Sequence, residues 1–198
     1  YSLYLLSQKS DLKKMGWFES LYRGYSVTGD GSPLPWLTYP IIYFLDKRLT
    51  KEMTLFEYGS GNSTLWWADR VKEVIACEHN KEWLEFVKTK APQNVELLYQ
   101  ELVYDGEYSK SCNNQDTLFD VIVIDGRDRV NCAKNAMSSL SKNGVIIWDN
   151  SDREYYSEGY DMLLKNNFRR LDFTGFVPVG ILLSTTSVFY KENNVLGI

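Results

Sequence analysis

Two acids and two glycines give this chain its first chemical signal. Glu57 precedes Gly59 by two residues, Gly61 follows at a G-x-G spacing, and Glu78 stands about 20 residues further on. Glycines placed directly after the apolar run Met53–Tyr58 turn the chain tightly. They leave bare backbone beside the positive end of the next helix, a seat for a nucleotide. Ser60, Asn62 and Ser63 fill out the same turn. An acid ending the next strand is where a nucleotide-binding βαβ unit holds ribose hydroxyls. Thr64 takes the place of the third glycine of a dinucleotide fingerprint, and a carboxylate at Glu57 repels a pyrophosphate. The pattern therefore points to a cationic nucleoside without phosphate; a G-x-x-x-x-G-K-[ST] phosphate loop is absent. Two other readings stay open at this point. Glu57 caps the N–H groups of its own turn, or the turn serves a nicotinamide dinucleotide.

Such residues need a parallel sheet to bring them together, and the chain supplies its elements. After Met53–Tyr58 the pattern predicts a helix over 63–70 and a strand over Val74–Glu78. A helix over 81–90 follows, with Asn80 as its N-cap and Trp83, Phe86 and Val87 at helical spacing. Next come a strand over Val95–Tyr99 and a polar loop or short helix over 105–116. Phe119–Ile124 is an apolar run broken only by Asp120, as in a strand covered on both faces. A helix over 131–141, a strand over Val145–Trp148 and a helix over 154–166 complete the alternation. The tail reads as two strands, Phe168–Phe176 and Leu182–Lys191, joined at Pro178 and Gly180, hence an antiparallel edge. Residues 1–35, rich in rings, read as a helical cap, most of whose aromatics pack. Pro35–Leu45 reads as a helix with Trp36, Ile41 or Ile42, and Leu45 on one face and Pro40 in its first turn. The whole is read as one domain over 1–198, with a core over 36–191.

The chain has 198 residues, 44% of them hydrophobic and 24% charged, enough for a full α/β core. A net charge of −4 provides no overall field to attract nucleic acid. No apolar run reaches the ~18 residues of a membrane span. Three separated cysteines, Cys77, Cys112 and Cys132, without C-x-x-C spacing read as reduced thiols in a cytoplasmic protein. The chain begins at Tyr1 rather than Met, which leaves open what precedes it. The expected partner is a small-molecule or glycan acceptor, with no nucleic acid and no membrane; a homodimer is permitted.

With E-x-G-x-G, Glu78, Phe119–Gly126 and the terminal strand pair in place, the chain resembles a class I S-adenosylmethionine-dependent methyltransferase over roughly residues 35–191. S-adenosylmethionine is a cationic, phosphate-free nucleoside of the kind the turn favours. The resemblance implies an α/β Rossmann-like, doubly wound, seven-stranded sheet of order 3-2-1-4-5-7-6, strand seven antiparallel. It also implies cofactor roles. Glu57, Gly59 and Gly61 hold the methionine part, with Ser60, Asn62 and Ser63 in the same turn. Glu78 takes the ribose hydroxyls, and His79, the only histidine, lies beside the adenine. Gln100 and Glu101 reach the adenine amino group, and Asp125 borders the cofactor.

A narrower likeness, to catechol-type O-methyltransferases, rests on Asp125 after the fourth strand and Asp149-Asn150 after the fifth. In those enzymes such a trio holds magnesium, and hard oxygen donors suit Mg²⁺. Neighbouring strand ends lie about 5 Å apart, so the three side chains can converge. The chain departs from the pattern at Asp128, where those enzymes carry a catalytic lysine. What this implies is O-methylation with Asp125, Asp128 or Asp149 as the base. Arg127 and Arg129 are placed to bind an anionic acceptor, or to pair with Asp128 and Asp152. Tyr155 and Tyr156 would add a wall to the acceptor pocket. The alternative is a module of this fold that binds the nucleoside and transfers nothing.

Overall fold

Five apolar runs end in acidic or polar residues, and a computed structural model, which describes residues 2–198, aligns those ends along one edge of a sheet. The strands are β1 (Thr54–Tyr58), β2 (Glu73–Glu78), β3 (Val95–Tyr99), β4 (Phe119–Ile124), β5 (Leu140–Trp148), β6 (Arg169–Phe176) and β7 (Leu183–Tyr190). They form one sheet of order β3-β2-β1-β4-β5-β7-β6, the expected one. β1 to β5 run parallel, and β7 lies antiparallel between β5 and β6. The register does the positioning. Tyr58 pairs with Cys77 on one side and Ile124 on the other, and Ile124 pairs with Trp148. Residues 59, 78, 125 and 149 therefore emerge at one edge.

Side chains alternate between two faces, each with its own core. On one, Leu55, Val121, Val145 and Ile147 meet α4 (Tyr39–Asp46) and α5 (Asn62–Ala68) through Ile41, Leu45 and Trp67. On the other, Phe56, Ile122, Ile146 and Trp148 meet α8 (Arg129–Ser139) and α9 (Ser157–Lys165) through Cys132, Ala136 and Leu163. The three cysteines are free and buried. The remaining helices are α1 (Ser2–Lys9), α2 (Asp11–Lys14), α3 (Trp17–Arg23), α6 (Lys81–Lys88) and α7 (Glu107–Lys110). Among the described residues no helix is long and apolar enough to cross a membrane.

Three elements differ from expectation, each for a local reason. α4 starts at Tyr39, after Thr38 in extended conformation, so Trp36 lies ahead of it and stays half-exposed. β5 begins at Leu140 and runs through Asn143-Gly144; a Cβ on Gly144 would meet the Phe119 carbonyl oxygen at 2.8 Å, so only glycine passes there. The helix expected over 154–166 splits into a 3₁₀ turn, Glu154–Tyr156, and α9.

Candidate functional site

The turn after β1 is built as its glycines suggest. Gly59 has φ +99°, a backbone form side chains disfavour, and its N–H donates to the Cys77 carbonyl at 2.8 Å. Glu57, 1% exposed, accepts from the Thr64 hydroxyl at 2.5 Å and the Trp67 indole N–H at 2.9 Å. The Thr64 hydroxyl in turn accepts the Gly61 N–H at 2.9 Å. A chain of donors thus runs from the turn backbone through Thr64 to Glu57, which explains why a hydroxyl, not a glycine, occupies that position. Glu57 borders the crevice, yet its carboxylate is spent on α5. Burial pushes its pKa up to about 7, against the pull of its donors from Ser63, Thr64 and Trp67.

Glu78 sits across the turn. Its Oε2 accepts the Ser60 N–H and hydroxyl, both at 3.1 Å, and its Oε1 accepts the His79 and Asn80 N–H groups at 2.8 Å. The His79 ring nitrogen Nδ1 lies 3.0 Å from the same carboxylate, but off the line of a hydrogen bond. Glu57, Gly59, Ser60, Ser63, Glu78, His79 and Asp125 border one crevice of about 360 Å³. Gln100 donates its N–H to the Glu78 carbonyl at 3.0 Å, but neither Gln100 nor Glu101 borders this crevice.

At the far side Asp125 and Asp149 lie together, around an arginine. Arg129, 7% exposed, places Nη2 3.1 Å from Asp125 Oδ1, donates from Nη1 to the Asp149 carbonyl and from Nε to the Gly126 carbonyl. Thr186 donates to Asp149 Oδ1 at 2.6 Å. Burial raises both carboxyls above the ordinary range; for Asp125 the neighbouring Asp149 raises it further, and Arg129 opposes. The expected magnesium trio does not form. Asn150 borders the crevice but donates its amide to Ser184, Asp149 is buried behind it on Thr186, and the guanidinium of Arg129 already supplies the positive charge. Among the described residues no group of three or more His, Cys, Asp and Glu side chains is placed to hold a metal ion. Asp128 is also withdrawn: at φ 48° it accepts from the Asp105 N–H and the Asn131 amide, both at 2.8 Å, and so ties a loop to α8. It does not face the crevice. Arg127 and Arg153 line it, whereas Tyr155 and Tyr156 do not.

A second cleft, about 460 Å³, opens on the other side of the turn and shares Ser60, Ser63 and Asp125 with the first. Its walls are Tyr25 and Trp36 from the segment before α4, and Trp83 and Phe86 from α6. Helical spacing groups Trp83 and Phe86 with Val87. In fact α6 buries Leu84 and Val87, a second apolar stripe one residue on, and turns the rings outward. Asn62 ties the two sides together, donating to the Ser26 carbonyl at 2.7 Å.

Residues 56–151 match the family described as Methyltransferase domain. No curated protein matches the chain. Among solved structures the chain is similar to a methyltransferase from Pyrococcus furiosus, at 20% identity and TM-score 0.57, covering 78% of this chain and 83% of that one. It is also similar to precorrin-6y C5,15-methyltransferase from Geobacter metallireducens, at 13% identity and TM-score 0.60, covering 76% and 86%. A third is a Streptococcus mutans protein in complex with SAH, at 13% identity and TM-score 0.56, covering 78% and 99%. At these identities the structures speak to the fold alone. The match over residues 56–151 gives that stretch a methyltransferase domain, and the strand order is that of the class I S-adenosylmethionine-dependent methyltransferase fold.

Proposed function

We propose that the protein transfers a methyl group from S-adenosylmethionine to an oxygen of a small-molecule acceptor, phenolic or sugar-like, in the cytoplasm. The observation that carries this is the junction of two cavities at Asp125, Ser60 and Ser63, which gives donor and acceptor separate rooms with one common wall. The residues fit the nucleoside. Gly59 and Gly126 face each other across bare backbone: a Cβ on Gly59 would sit 3.5 Å from the Gly126 Cα. Glu78 already takes four donors, so a ribose diol there replaces the Ser60 hydroxyl, the one donor on a freely rotating bond. Arg127 and Arg153 suit the methionyl carboxylate.

When bound, the nucleoside supplies an electrophilic methyl group on a sulfonium. The protein's part is alignment and proton transfer. Asp125, partly open to the cavity, accepts the proton of the acceptor hydroxyl as the new oxygen–carbon bond forms and the carbon–sulfur bond breaks. Its raised pKa brings it nearer to a hydroxyl's own, which favours a general base. Arg129 balances the carboxylate before transfer. No step runs through a metal.

Calorimetry with S-adenosylmethionine tests the first half. Glu78→Gln is expected to weaken binding about 10- to 100-fold, the loss of hydrogen bonds to a charged acceptor. A labelled-methyl assay over cell extracts tests the second: Asp125→Asn is expected to lose about 10²- to 10⁴-fold in rate with binding of the cofactor retained. Tight binding with no labelled product from the unmodified protein would identify the non-catalytic module instead. Failure to bind the nucleoside, with binding of NAD, would overturn the reading entirely.

A further inference from the structure

The 460 Å³ cleft holds four rings that the fold leaves half-exposed: Tyr25 46%, Trp36 48%, Trp83 43% and Phe86 48%. Its size lies within the range of small-molecule sites. The rings come from opposite ends of the local chain and face one space. Trp83 and Phe86 make a nearly continuous floor, their centroids 5.2 Å apart and their planes tilted by 33°. Trp83 is held in place by its N–H, which donates to the Ser60 carbonyl at 2.8 Å. The facing wall is fixed too, by the Asn62–Ser26 bond and by the Ser26 hydroxyl on the Pro35 carbonyl at 2.9 Å. Lys90 stands 4.1 Å over the Phe86 ring.

We propose that this cleft is the acceptor site and that its acceptor is an aryl alcohol or phenol, its ring lying between Trp36 and the Trp83–Phe86 floor and its hydroxyl reaching Asp125. The inference rests on the methyl-transfer reading for its chemistry, and on the rings for its substrate class. A sugar offers several hydroxyls, and each buried without a partner costs free energy. Several polar groups here are already engaged: the Asn62 amide donates to Ser26, the Trp83 N–H to Ser60, and the Tyr25 hydroxyl accepts from Arg23 at 3.1 Å. A flat ring with one hydroxyl loses nothing by comparison, and it gains ring–ring contact.

The test uses 2-naphthol and methyl β-glucopyranoside as probes of the intact protein, read by saturation-transfer NMR and competition. Naphthol is expected to bind, and Trp36→Ala and Phe86→Ala are each expected to weaken it about tenfold. S-adenosylmethionine affinity is expected to stay within about twofold in both variants. Naphthol binding unchanged by both substitutions, or pyranoside binding tighter than naphthol, overturns the proposal. The naphthol readout needs no methyl transfer. A protein that binds naphthol in the cleft but no S-adenosylmethionine would refute the methyl-transfer reading while leaving the aromatic site standing.

Discussion

Glu57→Gln separates a carboxylate that serves the fold from one that serves a ligand. Glu57 lies in the interior, where the Thr64 hydroxyl and the Trp67 N–H donate to its two oxygens. Burial wins over those donors and sets its pKa at about 7, against 4.5 in its ordinary state. The sign follows from proton counts. Between these values the folded protein binds the proton and the unfolded chain has released it, so stability contributed by this group is full below pH 4.5 and is lost as pH rises through 7. A shift of about 2.5 units at about 1.4 kcal/mol each amounts to roughly 3 kcal/mol. Glutamine does not titrate. Its amide serves one donor and leaves the other poorly matched, at a cost of about 1–3 kcal/mol that does not depend on pH. Urea unfolding of both proteins at pH 5 and pH 8 isolates the titrating part, since other groups cancel in the difference. The cost of the substitution is expected to be larger at pH 5 and to shrink by about 2–3 kcal/mol at pH 8. A cost that is equal at both pH values, or that grows with pH, refutes the reasoning: it would mean that Thr64 and Trp67 hold Glu57 ionised against burial.

Gly59→Ala forces a Cβ into φ +99° and is expected to cost about 1–2 kcal/mol, read as a fall in Tm of several degrees by thermal unfolding, with S-adenosylmethionine binding weakened. Arg129→Met strips the buried Asp125–Asp149 pair of its countercharge and is expected to destabilise by about 3–5 kcal/mol. In that variant millimolar Mg²⁺ is expected to raise Tm, whereas the unmodified protein is expected not to respond; a response of the unmodified protein would show that the guanidinium does not fill the cation position. Thr64→Gly restores the dinucleotide fingerprint but cuts the link from Gly61 to Glu57. It is expected to lower stability by about 1–3 kcal/mol and to confer no NAD binding by calorimetry.

The sheet was legible because the inner parallel strands, β1, β2, β4 and β5, carry apolar runs covered on both faces, and because turn residues stand at the ends of the runs. β4 shows this best: Phe119 to Ile124, apolar but for Asp120, appears in the structure with the bounds its composition suggests. The turn was legible through its glycines. The site's side chains were less so, because their directions depend on backbone conformation, helix face and long-range pairing. Asp125 and Asp128 are equally good bases in the sequence, but Asp128 adopts φ 48° and its carboxylate swings to the Asp105 loop. α6 carries two apolar stripes within eight residues, and period alone does not say which one faces the sheet. The place of Arg129, donating to three carbonyls and a carboxylate at once, depends on β4 and β5 being neighbours, a long-range fact no local pattern contains.

The crevice at the first crossover was expected to be acidic and thereby to select a cation. Its acids are there, but their charge is not free. Glu57 is held near half-ionisation at neutral pH by burial. Asp149 raises the proton affinity of Asp125, and both carboxyls share a counter-ion in Arg129. Glu78 has its oxygens covered by four donors, and Arg127 and Arg153 line the same space. The result is a lining of both signs at fixed places rather than a negative field. A zwitterion with an ammonium, a sulfonium and a carboxylate matches such a lining group by group, whereas a field of one sign would repel one of its parts. On the proposed reading, selection in this site lies in the placement of charges a few ångströms apart, where each is worth more than the net sum.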